Sequence, residues 1–397
     1  MGILQRTAKI LFVCVHLILL SGCWDRTEVN DLALIVGLGI DQTKDGKIML
    51  TVELIIPQAV GGGQMMGGGG GGGGGQTIVR LGTGTTVADA ISNLQEKLSR
   101  RVFWGHTKVI VFGERAAKAG IRQHLDFLSR NPQIRLRSNL LVSKGTAKSV
   151  LELLPPIEQS SAEVLRELSE SQLLLNVTIK DALQMLSGDT GALALPMVKI
   201  LPPEKGKKDL QTIAFIQRTA IFKKDKMIGD INDRLTRGVL WLRNEVKQSN
   251  ITITLKGEKG NITSTLISAH TEFIPKYEKG KWKMIVKTTA EDDILLNGTK
   301  LDLLNPKYTK MIEKELENET NKRIRAALKK VQKEMKADVF GFAEIFHRKY
   351  PREWNQVKDR WEEIFPTVEV IVKTKAYVRR PGMNAAPQGL PEDEVKQ

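Results

Sequence analysis

Residues 10–20 form an apolar run of 11 residues broken only by His16, with Arg6 and Lys9 and no acid ahead of it and Leu20-Ser21-Gly22-Cys23 behind it. A stable membrane span needs about 20 apolar residues, and at about 1.5 Å rise per residue this run falls short of the hydrocarbon core. A basic start, a short apolar core and small residues before a cleavage point read as a signal peptide, residues 1–22, which is removed. Leu20-Ser21-Gly22-Cys23 has the form of the bacterial lipobox, in which small residues admit the peptidase beside a Cys that already carries a diacylglycerol thioether. Cys23 is therefore expected to be the mature N-terminus, S-diacylglycerol and N-palmitoyl modified. Each buried methylene contributes about 0.8 kcal/mol, so paired acyl chains hold a protein at a bilayer where a single chain lets it go.

This start constrains everything after it. The mature chain must build water-soluble cores outside the cytoplasm without a disulfide framework, because the only other Cys, Cys14, leaves with the signal. A Cys-based zinc site and an iron–sulfur cluster are excluded for the same reason. Length predicts two or three domains at roughly 150 residues each, and 41% hydrophobic with 26% charged residues suits globular folding. The net charge of +15 falls to +13 when Arg6 and Lys9 are lost. A chain this basic meets something anionic; export removes nucleic acid from consideration, and the phospholipid surface to which the anchor ties it is the nearest anion. Residues 100–150 hold eleven Lys/Arg against two acids, Glu114 and Asp126, a net of +9. Either these cations share one exposed face that docks on lipid headgroups or an acidic partner, or they are scattered and serve solubility.

Along the mature chain the apolar period alternates between strand-like and helical, which predicts an α+β protein of three domains with mixed or antiparallel sheets flanked by helices. The first, 23–154, opens with two runs rich in Ile, Val and Leu around Asp41-Gln42-Thr43-Lys44-Asp45-Gly46, a hairpin signal. Gly37-Leu38-Gly39 is no dinucleotide loop, since Gln42 stands where the third Gly belongs. Residues 61–76 contain the run Gly67 to Gly75 with no Gly-Lys-Ser/Thr after it, so a disordered surface loop is expected rather than a phosphate cradle. Alternating strand and helix patterns follow as far as Pro155-Pro156. The middle unit, 155–245, contains two helix patterns, a strand ending near Pro202-Pro203, a hairpin and a helix over 232–243. The third, 246–380, reads as a three-strand meander, then a long helix with Tyr308, Ile312, Leu316, Ile324, Leu328, Val331 and Met335 on one face, packed on the sheet. Asp338 is placed to cap a further helix, Pro351 to open another, and residues 367–379 alternate as a closing strand. The tail, 381–397, lacks apolar period and is expected to be disordered.

Three blocks carry a resemblance. Cys23-Trp24-Asp25-Arg26 with Asn30-Asp31-Leu32-Ala33 and Gly37-Leu38-Gly39-Ile40-Asp41 is the first. The second holds Asp225-Lys226-Met227 and Thr236-Arg237-Gly238-Val239-Leu240-Trp241-Leu242, and the third Gly341-Phe342, His347-Arg348-Lys349-Tyr350-Pro351, Trp354 and Trp361-Glu362-Glu363. In this order they resemble the Ger(x)C spore-germination lipoproteins, the C subunits of germinant receptors, over nearly the whole mature chain. The resemblance implies three α+β domains, attachment to the outer face of the spore inner membrane, and assembly with integral-membrane A and B subunits that sense nutrients such as amino acids or sugars. It transfers one chemically defined residue, Cys23, and no catalytic residue; the glycine run departs from the family pattern.

Catalysis has little to rest on. His106, His124, His270 and His347 show no metal-ligand spacing, no Gly-x-Ser-x-Gly elbow occurs, and Glu291-Asp292-Asp293 and Glu362-Glu363 are sequence neighbours that do not share a face. No cofactor and no metal are expected. The reading is a non-catalytic, lipid-anchored receptor subunit acting through protein contacts to support nutrient-triggered germination. The alternatives are a lipid-anchored solute-binding protein that captures the germinant in a polar cleft, and a cell-wall enzyme with a concave cluster of acids or His.

Overall fold

The structure is a computed structural model that describes residues 31–56, 77–381 and 390–396, with a few scattered positions before residue 31. The signal peptide's cleavage region, Cys23 and the glycine-rich stretch 61–76 lie outside the described residues, so the expectations made for them carry over untouched. Among the described residues no helix is long and apolar enough to cross a membrane.

The expected hairpin forms from β1, Leu32–Gln42, and β2, Ile48–Ile55, paired antiparallel with Gln42 opposite Ile48. Its turn closes through Thr43 N to Lys47 O at 2.9 Å, and Gly46 takes the left-handed conformation the turn requires. β3, Thr77–Gly84, adds to the far side of β2. On the other side of β1 stand β5, Val109–Gly113, β6, Asn139–Ser143, and β7, Ala192–Ile200, all parallel to it, followed by antiparallel β8, Ala214–Lys223, and β9, Lys226–Asn232. The three-residue β4, Arg101–Phe103, lies parallel to the first residues of β1 and completes a nine-stranded sheet.

β5 and β6 are buried at every residue because helices cover both faces. Period-two alternation sorts their side chains: Ile110 and Phe112 face a large core with α1, Val87–Gln95, α3, Arg122–Arg130, and α6, Ile179–Ser187. Val109 and Val111 face a smaller core with α4, Ala147–Leu151, and α5, Ser161–Glu170. The short α2, Glu114–Ala119, follows β5 directly. Gly37 and Gly39 find their purpose on that second face. A Cβ at Gly37 would stand 3.0 Å from Leu151 and 3.1 Å from Ala162, and one at Gly39 2.9 Å from Ala147, so the missing side chains let α4 and α5 lie on the sheet.

The stretches 23–154 and 155–245, separate in the sequence reading, contribute strands to this one sheet. β6 and β7 pair at Val142 and Met197 across the expected boundary. Pro155-Pro156 therefore breaks a loop between α4 and α5, not a sheet; two prolines report local backbone limits and nothing about which strands pair.

The second sheet runs β10, Asn250–Ile253, β11, Ile262–Glu278, β12, Lys281–Asn297, and β13, Glu369–Arg380. The first three form the expected meander, and β13 joins β12 in parallel after the helices return the chain. The long helix α8, Pro306–Ala327, starts with Pro306 in its first turn and Asn305 Oδ1 accepting from Lys307 N at 2.9 Å. It buries Ile312, Leu316 and Ile324, members of the predicted stripe, and passes into a π-helical segment, Leu328–Met335. There Gln332 is buried and donates to the carbonyls of Phe365 and Val368, both at 2.9 Å. Helices α9, Phe342–Lys349, α10, Pro351–Asn355, and α11, Trp361–Ile364, then bring Trp354 and Trp361 to 5.0 Å between ring centroids.

Helix α7, Asp233–Leu242, ties the two sheets together: it carries Val239 and Trp241 into the same core as Ile324, Ala327 and Leu328 of the C-terminal unit. The tail expectation changes in part. Residues 390–396 come back against the second unit, where Asp302 N donates to Lys396 O at 2.9 Å and Lys396 Nζ meets Glu258 at 2.7 Å. Backbone pairing with the strand-like bridge at Leu301 holds them, a contact that needs no apolar period and left none to read. The α+β class, with mixed and antiparallel sheets and a long C-terminal helix on a sheet, is what the structure shows.

Candidate functional site

Cys23, the expected acylation site, precedes β1 by nine residues, so the geometry that bears on that expectation is the end of the large sheet where β1 starts. β1, β4, β5 and β6 are parallel and therefore begin at the same end. Leu32 pairs with Arg101. Asn139 N donates to Lys108 O at 3.0 Å, Ser138 Oγ to Thr107 O at 2.8 Å and Lys180 N to Leu136 O at 3.0 Å. These bonds gather the segments around residues 101–108, 133–139 and 176–180 into one rim.

The basic stretch 100–150 divides in two. Lys108 pairs with Glu163, Lys118 and Lys144 with Glu114, Arg130 with Asp126 and Lys148 with Glu152. Arg100, Arg101, Arg115, Arg122, Arg135 and Arg137 form no ion pair among the described residues. Arg115 and Arg122 sit on α2 and α3, whereas Arg100, Arg101, Arg135 and Arg137 stand at the rim. The excess is thus neither one face nor a uniform scatter: ion pairing absorbs part of it, and most of the remainder lies at the end where β1 begins.

Three buried carboxylates serve helix N-termini. Asp41 accepts from Ala147 N and Lys148 N at 2.8 and 3.0 Å, and Glu53 from Ser161 N and Ala162 N at 3.0 and 2.8 Å. Asp338 accepts from Phe342 N at 3.1 Å and Ala343 N at 2.9 Å, with the Trp361 indole N–H a third donor at 3.0 Å. The helix termini, short of acceptors for their first N–H groups, are satisfied this way. Sequence reasoning placed Asp338 as a cap and missed Glu53; its signal was an acid inside the apolar run of β2. Burial pushes Glu53 up from 4.5 to about 7 against the pull of those backbone N–H groups, and Asp338 up to about 7. In the same way burial raises Asp292, bonded to Ser264 Oγ, to about 6.

A pH effect follows from Glu53. Its folded-state value lies above the unfolded one, so the folded chain holds that proton more tightly. The stability it contributes is full below about 4.5 and is lost as pH rises to about 7. Subtracting the urea-midpoint profile of Glu53→Gln from that of the wild type should leave a decline across this window; a flat difference would refute the assignment.

The histidines do not converge. His106 is at the rim, His124 is buried beside Phe112 with ring centroids 6.1 Å apart, and His270 is exposed on β11. His347 Nδ1 lies 2.7 Å from Asp189 and its ring stacks on Trp354, so it links the two sheet units. Burial lowers the affinity of His124 for a proton. Among the described residues no three His, Cys, Asp or Glu side chains gather as a metal-ligand set. Glu291, Asp292 and Asp293 split across β12: Glu291 pairs with Arg379, Asp292 faces inward to Ser264, and Asp293 is near Arg380.

Two concavities stand out. An apolar groove of about 920 Å³ lies between the Pro155-Pro156 loop, α5 and the Pro202 loop, with Ile157 90% exposed at its mouth. A polar cleft of about 390 Å³ is lined by Asn176, Asp181, Gln184, Arg243, Asn244 and Glu245. In that cleft Arg243 is already engaged by Glu245 at 2.7 Å and by Val339 O at 3.0 Å, and Asn244 accepts from Thr271 N at 2.8 Å.

Comparison with known proteins agrees with this architecture. Residues 25–200 match the family described as the spore germination protein N-terminal domain, and residues 217–382 the one described as spore germination B3/GerAC like, C-terminal. Spore germination protein KC of Bacillus subtilis (strain 168) is 29% identical over 394 residues, covering 95% of this chain and 96% of that protein. Putative spore germination protein YfkR of the same organism is 32% identical over 367 residues, 91% and 92% of the two chains. The crystal structure of the GerBC protein superposes on 86% of this chain and 97% of its own, with a TM-score of 0.55 at 22% identity, a likeness of fold.

Proposed function

This chain belongs to the GerAC-like family of spore germination proteins, and from that premise we propose that it is the lipid-anchored, non-catalytic subunit of a nutrient-germinant receptor. Relatives that it matches over 94–96% of their own length are named as spore germination proteins, and its own role lies in germination. The finer reading is that Cys23 carries the acyl chains on the outer face of the spore inner membrane. From there the folded chain contacts the integral-membrane A and B subunits and the phospholipid surface. The observation that carries this is the coincidence, in one chain, of family matches over residues 25–200 and 217–382 and a lipobox-like sequence ending at Cys23, just before the first match begins.

Replacing Cys23 by Ala removes the only acylation site. At about 0.8 kcal/mol per buried methylene, its chains supply nearly all the binding to the bilayer. The variant is expected to move from the membrane fraction of spores to the soluble fraction or disappear, and nutrient-triggered germination is expected to fail while nutrient-independent germination persists. Normal membrane retention and germination in the variant would overturn the proposal.

Direct capture of a germinant is the second reading, and the polar cleft favours it by size, since ligand sites start near about 300 Å³. Calorimetry of the mature chain with amino acids and sugars separates the two readings. Saturable binding that Asn176→Ala abolishes would put this reading first.

A further inference from the structure

We propose that the end of the large sheet nearest the anchor is a bilayer-docking rim, in which Arg101, Arg135, Arg137 and Lys180 engage anionic phospholipid headgroups and Leu136 and Leu173 enter the interface between them. The proposal rests on Cys23 being the lipid anchor. Leu32 is the ninth residue after Cys23, and nine such steps span at most about 32 Å in any conformation. The start of β1 is thus tethered close to the bilayer, and the parallel strands put the starts of β4, β5 and β6 at the same end.

Much of the positive charge at this end has no ion-pair partner among the described residues. Arg101, Arg135, Arg137 and Lys180 are exposed and make no ion pair among the described residues. Of the nearby acids, Glu163 pairs with Lys108 and Asp181 is held in the capping box of Thr178; Asp31, one residue before the Leu32–Arg101 pair, and Glu28, whose carbonyl accepts from Asp31 N at 3.0 Å, stand beside Arg101. Away from this end Lys118, Lys144 and Lys148 are all paired, whereas here Lys108 alone is, with Glu163.

Apolar side chains accompany the cations. Leu136 is 44% exposed between two exposed arginines, and Leu173, in the loop after α5 and before Asn176, is 46% exposed. Asn139 Nδ2 donates to Asn176 Oδ1 at 2.9 Å, which fixes that loop against the start of β6. Single surface leucines are ordinary; their position among unpaired arginines at the tethered end is what selects a membrane surface. Basic residues draw the segment to anionic lipid and apolar ones hold it at the acyl boundary. The occupant is therefore the bilayer that carries the anchor.

In the mature chain Cys23 is the sole Cys and its sulfur is blocked as a thioether, so Leu136→Cys gives a unique site for a fluorophore and Ala119→Cys, on α2, gives a control. Lipidated protein is reconstituted on vesicles of phosphatidylglycerol with phosphatidylcholine and on phosphatidylcholine alone, and quenched with neutral acrylamide. On anionic vesicles the label at 136 should be quenched several-fold less than the control, because basic residues draw this end to such a surface. The shielding should weaken on phosphatidylcholine or in high salt. It should vanish with Arg101→Glu, Arg135→Glu and Arg137→Glu together. Arg135→Gln with Arg137→Gln, which removes charge without reversing it, should fall between; far-ultraviolet circular dichroism confirms that each variant is folded. Equal quenching at both positions on a lipidated, vesicle-bound chain overturns the rim and leaves the anchor standing. Shielding that survives charge reversal, or that needs other receptor subunits and not lipid, overturns it too. Mass spectrometry showing Cys23 without lipid removes the anchor reading, and the rim with it.

Discussion

Asp338→Ala is expected to lower stability by about 4 kcal/mol, because it strands three donors at once in a place that water does not reach. Phe342 N, Ala343 N and the Trp361 indole N–H all point at this carboxylate, and Asp338, Phe342, Ala343 and Trp361 are all buried. Each unsatisfied buried donor costs about 1–3 kcal/mol. The damage should spread, since Trp361 meets Trp354 at 5.0 Å, Phe346 at 5.7 Å and Trp282 at 6.4 Å between centroids. Such aromatic pairs are worth about 0.5–1.5 kcal/mol each beyond the area they bury. Asp338→Asn keeps the shape and one acceptor oxygen and should lose roughly half as much. Urea unfolding followed by tryptophan fluorescence measures both; a loss below about 1 kcal/mol for the Ala variant would show that the carboxylate is dispensable.

Gly238→Ala comes next, and its sign is the informative part. In an isolated helix the change gains up to about 1 kcal/mol, since Gly is the poorer helix former. In this chain the added Cβ would lie 2.7 Å from Ala327 Cβ and 3.0 Å from the Arg323 carbonyl carbon, and closer still to the Arg323 carbonyl oxygen. Backbone cannot yield as a flexible side chain does, so α7 and α8 would have to separate. Overpacking of this kind costs about 1–3 kcal/mol, and α8 is held from its other side by β13, where Thr374 Oγ1 donates to Asn321 at 2.8 Å. A net loss of about 3 kcal/mol is expected, seen as a lower urea midpoint and as earlier separation of the two sheet units in limited proteolysis. A stabilised variant would mean that the helices are not in this contact.

Much of the local structure was legible because it obeys short-range rules. The turn between β1 and β2, the stripe from Ile312 to Val331 and the alternation of β13 all follow from backbone limits and period, which act within a few residues. The cap at Asp338 was legible for the same reason. β4 was not, because a three-residue strand has no period to detect. Nor was the capping role of Glu53, whose donors on α5 are more than a hundred residues away.

For the anchor end, the sequence located the excess charge between residues 100 and 150 and stopped there. Whether Lys108 or Arg135 is paired depends on which acids arrive from other elements: Glu163 reaches Lys108, and among the described residues no acid pairs with Arg135.

The division between the two sources of order is therefore physical. By itself the amino-acid sequence carries the expectation of an export signal and of acylation at Cys23, and it determined the kind and place of most helices and strands, since these depend on covalent chemistry and on neighbours along the chain. The tertiary structure alone decided that β6 and β7 join two stretches into one sheet, that Gly238 brings α7 against α8, and that the unpaired arginines gather where β1 begins. Each of those depends on parallel register, close backbone approach or a charge partner from a distant segment, and loop closure over such distances leaves no local trace in composition or period.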